Sequence, residues 1–178
     1  MAADSKGMRG RQTVRDMVLS MLAVGIVVWI GYVFLPHGDG GDPVRTVGYQ
    51  VEAASAKRAA PYPLLAPEGL PAKWRATSVG YRPADTNNGK GNAWHLGFVT
   101  PSGQYAAIEQ SDVPRDALLA EYVKGAKPEG TSEVAGRAWE RVQGEKDRAL
   151  TAQTGSGTTL LTGTASYEEL AELAQALK

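Results

Sequence analysis

The chain has 178 residues but no cysteine, only two histidines and no excess of charge, with 19 Lys and Arg against 19 Asp and Glu. Without Cys there is no disulfide, so the folded part must be held by its apolar core. The same absence leaves no thiol for lipid attachment and excludes a lipoprotein. His37 and His95 stand 58 residues apart, which rules out metal sites rich in imidazole or thiolate. No D-x-D-x-D spacing occurs, and an all-carboxylate Ca²⁺ or Mg²⁺ site stays open on composition alone. A balanced charge without basic clusters argues against nucleic acid as a partner. It also gives the domain no strong reason to lie flat on anionic lipid. Motifs of established chemistry are missing too: there is no G-x-S-x-G, H-E-x-x-H or S-x-x-K.

What the chain does have is one long uncharged run near its start. Residues 17–35, MVLSMLAVGIVVWIGYVFL, contain a single Ser among nineteen positions. At the rise of an α-helix they would extend about 28 Å, close to the ~30 Å hydrocarbon layer of a bilayer. Trp29 and Tyr32 lie toward the end, where amphipathic rings favour the headgroup level, and Pro36 stops the helix. Met17, Leu22, Ile26, Trp29 and Leu35 mark the expected anchor. Lys6, Arg9, Arg11 and Arg15 precede the run, and Arg45 alone follows within a similar length. The positive-inside rule therefore expects a single-pass protein with a cytoplasmic N-terminus and an extracytoplasmic C-terminal part. A cleaved signal peptide is the competing reading. It is disfavoured because the run exceeds a typical signal core of about 7–15 residues and only Gly38-Asp39-Gly40 offers a poor cleavage site.

The expected organisation is a cytoplasmic tail (1–16), a transmembrane signal-anchor (17–35), a Gly- and Asp-rich linker (36–43) and an outer domain (44–178). With Lys6, Arg9, Arg11, Arg15, Asp4, Asp16 and Asp39 set aside, the outer part is still nearly neutral. Its length is ample for one core.

Glu52–Ala59 is Ala-rich and predicts a short helix stopped by Pro61. Pro61–Pro71, with four prolines, predicts an extended strap over the domain surface. From Trp74 the apolar period changes to two. Trp74–Arg82, Ala93–Thr100 and Gln104–Gln110 predict strands, with Trp94, Leu96 and Phe98 on one face. Pro83–Gly91 reads as a polar loop and Pro101-Ser102-Gly103 as a tight turn.

A helix from Pro114 to Lys124 follows, with Ser111 or Asp112 as its cap. Leu118, Leu119, Tyr122 and Val123 form its buried stripe, and Gly125 ends it. Thr131–Val134, Ala138–Val142, Ala149–Gln153 and Thr158–Thr164 predict further strands, separated by Gly136, Gly144–Asp147 and Gly155–Gly157. Ser166-Tyr167-Glu168-Glu169 fits a capping box, after which Leu170, Leu173, Ala174 and Leu177 form one apolar helical face. Together these elements predict an α+β domain, an antiparallel sheet packed with helices.

Several segments together resemble a known family. They are Arg11–Met17 (RQTVRDM), Asp42–Arg45 (DPVR), Leu65–Leu70 (LAPEGL), Trp74–Ser78 (WRATS), Trp94–Phe98 (WHLGF) and Thr162–Leu170 (TGTASYEEL). The family is an uncharacterised actinobacterial one of single-pass membrane proteins with an extracytoplasmic domain of unknown function. The resemblance implies an inner anchor and an outer domain, and it supplies no activity. A second likeness is of fold. Leu70-Pro71-Ala72-Lys73-Trp74, Glu121-Tyr122, Gly136-Arg137-Ala138-Trp139 and the last helix are similar in order to a Mog1/PsbP-like sandwich, whose members are mostly binding or assembly factors. Function does not follow from fold.

Weighed singly, the candidate residues favour bland roles. His95 points away from the Trp94/Leu96/Phe98 face, and catalysis would require an orienting carboxylate and a nucleophile beside it. Gly155-Ser156-Gly157-Thr158-Thr159 lacks the Lys of a phosphate loop and reads as a hairpin turn. Trp74, Trp94 and Trp139 are expected in the core, and an exposed one beside Pro83–Gly91 would mark a binding patch. No catalytic, cofactor or metal residue is assigned, and no cofactor is expected. The leading expectation is a non-enzymatic accessory module in the cell membrane. Its partners would be the lipid bilayer, through the anchor, and a protein or envelope component. The alternatives are an envelope hydrolase whose site is assembled by folding, and a domain binding a small lipid or metabolite in a closed apolar pocket.

Overall fold

Seven segments of the chain pair into one sheet, and the alternation of Trp94, Leu96 and Phe98 turns one face of it toward the core. The computed structural model describes the backbone of residues 6–34 and 45–178 and the side chains of 15–30 and 45–178. Two compact units result, Met1–Pro43 and Val44–Lys178.

In the first unit, helix α1 runs Lys6–Phe34. Every described side chain from Arg15 to Ile30 is exposed; Met21, for example, is 75% exposed and Trp29 66%. Among the described residues no helix is long and apolar enough to cross a membrane. Leu35, the linker 36–43 and the side chain of Tyr32 lie outside the described residues.

The second unit contains α2 (Gln50–Ala59), β1 (Arg75–Arg82), β2 (Ala93–Val99), β3 (Tyr105–Ser111), α3 (Arg115–Tyr122), β4 (Lys127–Val134), β5 (Arg137–Gln143), β6 (Arg148–Thr154), β7 (Gly157–Gly163) and α4 (Tyr167–Ala176). The sheet order is β1-β2-β3-β7-β6-β5-β4, and every pairing is antiparallel. Counting α1, the described residues form four helices and a seven-stranded antiparallel sheet, an α+β fold.

One face of the sheet carries the larger core. Trp94, Leu96 and Phe98 of β2, Ile108 of β3, Leu161 of β7, Leu150 of β6 and Trp139 of β5 meet Leu170 and Leu173 of α4 and Ala53 and Ala56 of α2. Burying each such Leu, Ile or Phe contributes about 1.5–3 kcal/mol. Trp74, Trp94 and Trp139 are all buried in this layer, so none of them forms an exposed patch.

The Pro61–Pro71 strap does more than cover the surface. Tyr62, Leu64 and Ala66 insert into the same core, because an extended chain turns alternate side chains to one side. Gln110 receives the strap from below. Its Oε1 accepts from Leu65 N at 2.7 Å, and its Nε2 donates to Thr159 Oγ1 at 2.9 Å.

The capping box at the start of α4 forms as the spacing predicts. Ser166 Oγ accepts from Glu169 N, and Glu169 Oε2 accepts from Ser166 N. Leu177 departs from expectation by leaving the helix to bridge Pro67 of the strap.

The opposite face carries α3, whose Leu118 and Leu119, with Val123 just after it, cover Val142, Ala149 and Leu160. The predicted caps of α3 are not used. Pro114 is its N-cap and has no side-chain hydrogen bond. Asp112 instead accepts from Asn92 N and Nδ2, and Ser111 Oγ donates to Asn92 O. Asn92 in turn closes the Pro83–Gly91 loop by accepting from Ala84 N and Tyr81 Oη. These bonds draw both residues toward that loop.

Strand β4 forms one border of the sheet. It is bulged between Pro128 and Gly130 and is exposed from Lys127 to Thr131. At the other border, Val47 N donates to Ala76 O of β1.

Candidate functional site

On the α3 face, the helix leaves β1–β3 uncovered, and a cleft of about 450 Å³ opens beside it. Its walls include Arg82, His95, Tyr105, Glu109, Tyr122 and Asp147. Ala107, Thr162 and Gly163 also line it, side chains small enough to leave the space open.

Three adjacent strands contribute a hydrogen-bonded line along its margin. His95 and Glu109 are directly paired on β2 and β3, which places both side chains on this face. Glu109 Oε1 lies 2.6 Å from His95 Nδ1, and Ser78 Oγ lies 2.7 Å from His95 Nε2. The carboxylate side chain is 4% exposed and the imidazole 28%. In the neutral imidazole, an accepting carboxylate at Nδ1 holds the ring proton there and leaves Nε2 to accept from the Ser78 hydroxyl.

Ser78 reaches this face because β1 is irregular. Simple alternation from Ala76, which is in the core, would turn Ser78 inward as well. The register shifts between Ala76 and Ser78, and the extra residue reverses the parity. Ser78 then faces Gly97, while Val79 and Tyr81 face the core side opposite Leu96 and Trp94. Gly97 completes the arrangement by leaving room. A Cβ there would fall 2.5 Å from Ser78 Oγ and 2.8 Å from Tyr105 Oη.

The two tyrosines bordering the cleft resist ionisation. Burial, then the Glu109 and Glu121 charges, push Tyr122 up to about 12, with Arg82 opposing and Glu109 as its side-chain hydrogen-bond partner. Burial and Glu109 raise Tyr105 also, while Ser78 pulls the other way. Both remain hydroxyl donors at neutral pH. Tyr122 thus belongs to the cleft as well as to the apolar stripe of its helix.

His95 stands where its alternation places it, away from the Trp94 face. The orienting carboxylate and the hydroxyl that a general base would need are Glu109 and Ser78, which the sequence reading did not find. Glu109 had a signal, since the Pro101-Ser102-Gly103 turn centres a hairpin and reflecting His95 through Ser102 lands on Glu109. Ser78 had none, because nothing in WRATSVGYR announces the bulge. Among the described residues no group of three or more His, Cys, Asp or Glu side chains is placed to hold a metal ion.

No curated protein and no solved structure matches the chain. Residues 9–177 match the family model described as a protein of unknown function, DUF4245, and the chain belongs to that family.

Proposed function

We propose that this protein is a membrane-tethered binding module whose outer domain receives an envelope component in the cleft beside α3. The uncharged run 17–35, with its basic residues on one side, supports a single pass with the N-terminus inside and residues 44–178 outside. The order of strands and flanking helices, with the motifs around Trp74 and Trp139, supports a Mog1/PsbP-like architecture for that domain. Segments such as RQTVRDM and TGTASYEEL support actinobacterial relatives.

The observation that carries the binding reading is the convergence of polar groups on an uncovered part of the sheet. Arg82 offers donors only, Asp147 acceptors only, and Tyr105 and Tyr122 offer both. Arg82 set against Glu109 and Asp147 leaves no positive excess for an anion. Two tyrosine rings and a mixed hydrogen-bonding rim suit a neutral, hydroxyl-rich ligand. Binding of this kind needs no bond to be made or broken, and it fits an accessory or sensing role.

The test is a titration of the detergent-solubilised full chain with soluble, neutral envelope saccharides, followed by tyrosine absorbance or NMR. Saturable binding weakened about tenfold or more by Arg82→Ala and by Asp147→Asn supports the reading; one lost hydrogen bond to a charged group is worth about 1.5–3 kcal/mol. Absence of saturable binding, or binding indifferent to both substitutions, overturns it.

A further inference from the structure

We propose that Ser78 is an acyl-accepting nucleophile at the margin of this cleft, with His95 as its general base, Glu109 as the group that orients His95, and carboxylic esters of small neutral alcohols as the substrate class. The nucleophile stands on geometry alone; only its substrate class rests on the cleft reading above. Three features lead to it. The hydroxyl, imidazole and carboxylate form one continuous line, at 2.7 Å and 2.6 Å, in the order that activates a serine. The Glu109 carboxylate is buried, the imidazole is partly open to the cleft and Ser78 is half-buried beside it, so the orienting end is drier than the reacting end. The β1 bulge and Gly97 bring Ser78 onto this face and make room for it. Tyr105 is close by, since its Oη and Ser78 Oγ both crowd the position of a Cβ on Gly97.

In the first step Ser78 Oγ bonds to the ester carbonyl carbon as its proton passes to His95 Nε2. The carbonyl π pair moves onto oxygen, toward the Tyr105 hydroxyl, which donates to the developing charge. When the carbonyl re-forms, the C–O bond to the alcohol breaks, and the alcohol leaves with the proton from His95. A water then adds to the acyl carbon and gives a proton to His95. Collapse of this second intermediate breaks the bond to Ser78, which recovers its proton. The products are one carboxylic acid and one alcohol, with the protein unchanged.

The test uses the full chain in detergent with a fluorophosphonate probe, read by intact mass and peptide mapping. The expected result is a single adduct on Ser78, absent from Ser78→Ala and formed about a hundredfold or more slowly by His95→Gln, the usual contribution of a general base. Glu109→Gln should also slow labelling while far-ultraviolet circular dichroism stays unchanged. Failure of the folded protein to label, or labelling at a rate that His95→Gln leaves unaltered, overturns the proposal. Saccharide binding is a separate readout. Binding without labelling rejects the nucleophile and keeps the cleft reading, whereas labelling without binding keeps the nucleophile and rejects the ligand class.

Discussion

Gly97 faces Ser78 across the β1–β2 pairing, and a methyl group at Gly97 would overlap both the serine hydroxyl and the Tyr105 hydroxyl. The relationship makes Gly97→Ala a sharp probe of the cleft margin. The added carbon must push Ser78 away from His95, at a cost of about 1–3 kcal/mol for overpacking. Urea denaturation should show that loss. The ¹⁵N shift of His95 Nε2 should move toward that of a free imidazole, and an unchanged shift would mean that the hydroxyl does not depend on the missing Cβ.

Gln110 ties the strap to the sheet from inside the core. Replacing it with Leu leaves Leu65 N and Thr159 Oγ1 without that partner, although Thr159 keeps its bond to Thr154 Oγ1 at 2.8 Å. A fully buried donor stranded in this way costs about 1–3 kcal/mol, and the half-buried Leu65 amide should fall at the low end. Hydrogen exchange should quicken at Leu65 before it does in β7. Uniform protection across both would contradict this order of opening.

Acid should weaken the α4 end of the domain. Burial opposes the Glu169 charge, but hydrogen bonds from Thr100, Ser102 and Ser166 outweigh it and hold the carboxyl below its ordinary value of 4.5. A depressed pKa in the folded state means that its contribution is complete above 4.5 and is lost as pH falls through the folded value. Glu169→Gln keeps the cap geometry and removes the charge. Its stability should therefore fall less than the parent's below pH 4.5, in parallel thermal melts. Identical acid limbs would place the sensitivity elsewhere.

Topology is open to a clean experiment because the chain has no native thiol. Lys178→Cys, treated on intact cells with a maleimide that does not cross membranes, should label as fully as it does after lysis. A Cys placed at Ser5 should label only after lysis. The opposite pattern would reverse the proposed orientation.

Much of the fold could be read from local chemistry. Trp94, Leu96 and Phe98 announce a strand because each meets the same core, and Ser166 with Glu169 announces a helix start because two backbone donors need those two oxygens. Tertiary context decided the rest. Asp112 is a good capping residue on its own, yet Asn92 lies close enough to claim it, and α3 starts at Pro114 without such help. The cleft was hidden for a similar reason. Each of its residues is ordinary alone, and the Ser78–His95 contact at its margin forms because one extra residue in β1 turns Ser78 toward a histidine on the next strand. Periodicity assumes regular strands, so it fails where a strand breaks its own rule.

The bulged, proline-bearing margin at β4 has a consequence for crowding. Pro128 offers no amide hydrogen, Lys127 and Glu129 bring charge, and the kink at Gly130 bends the strand out of line. A border built this way makes a poor template for an arriving strand. Crowded copies of the domain would thus gain little by zipping into fibres along this border.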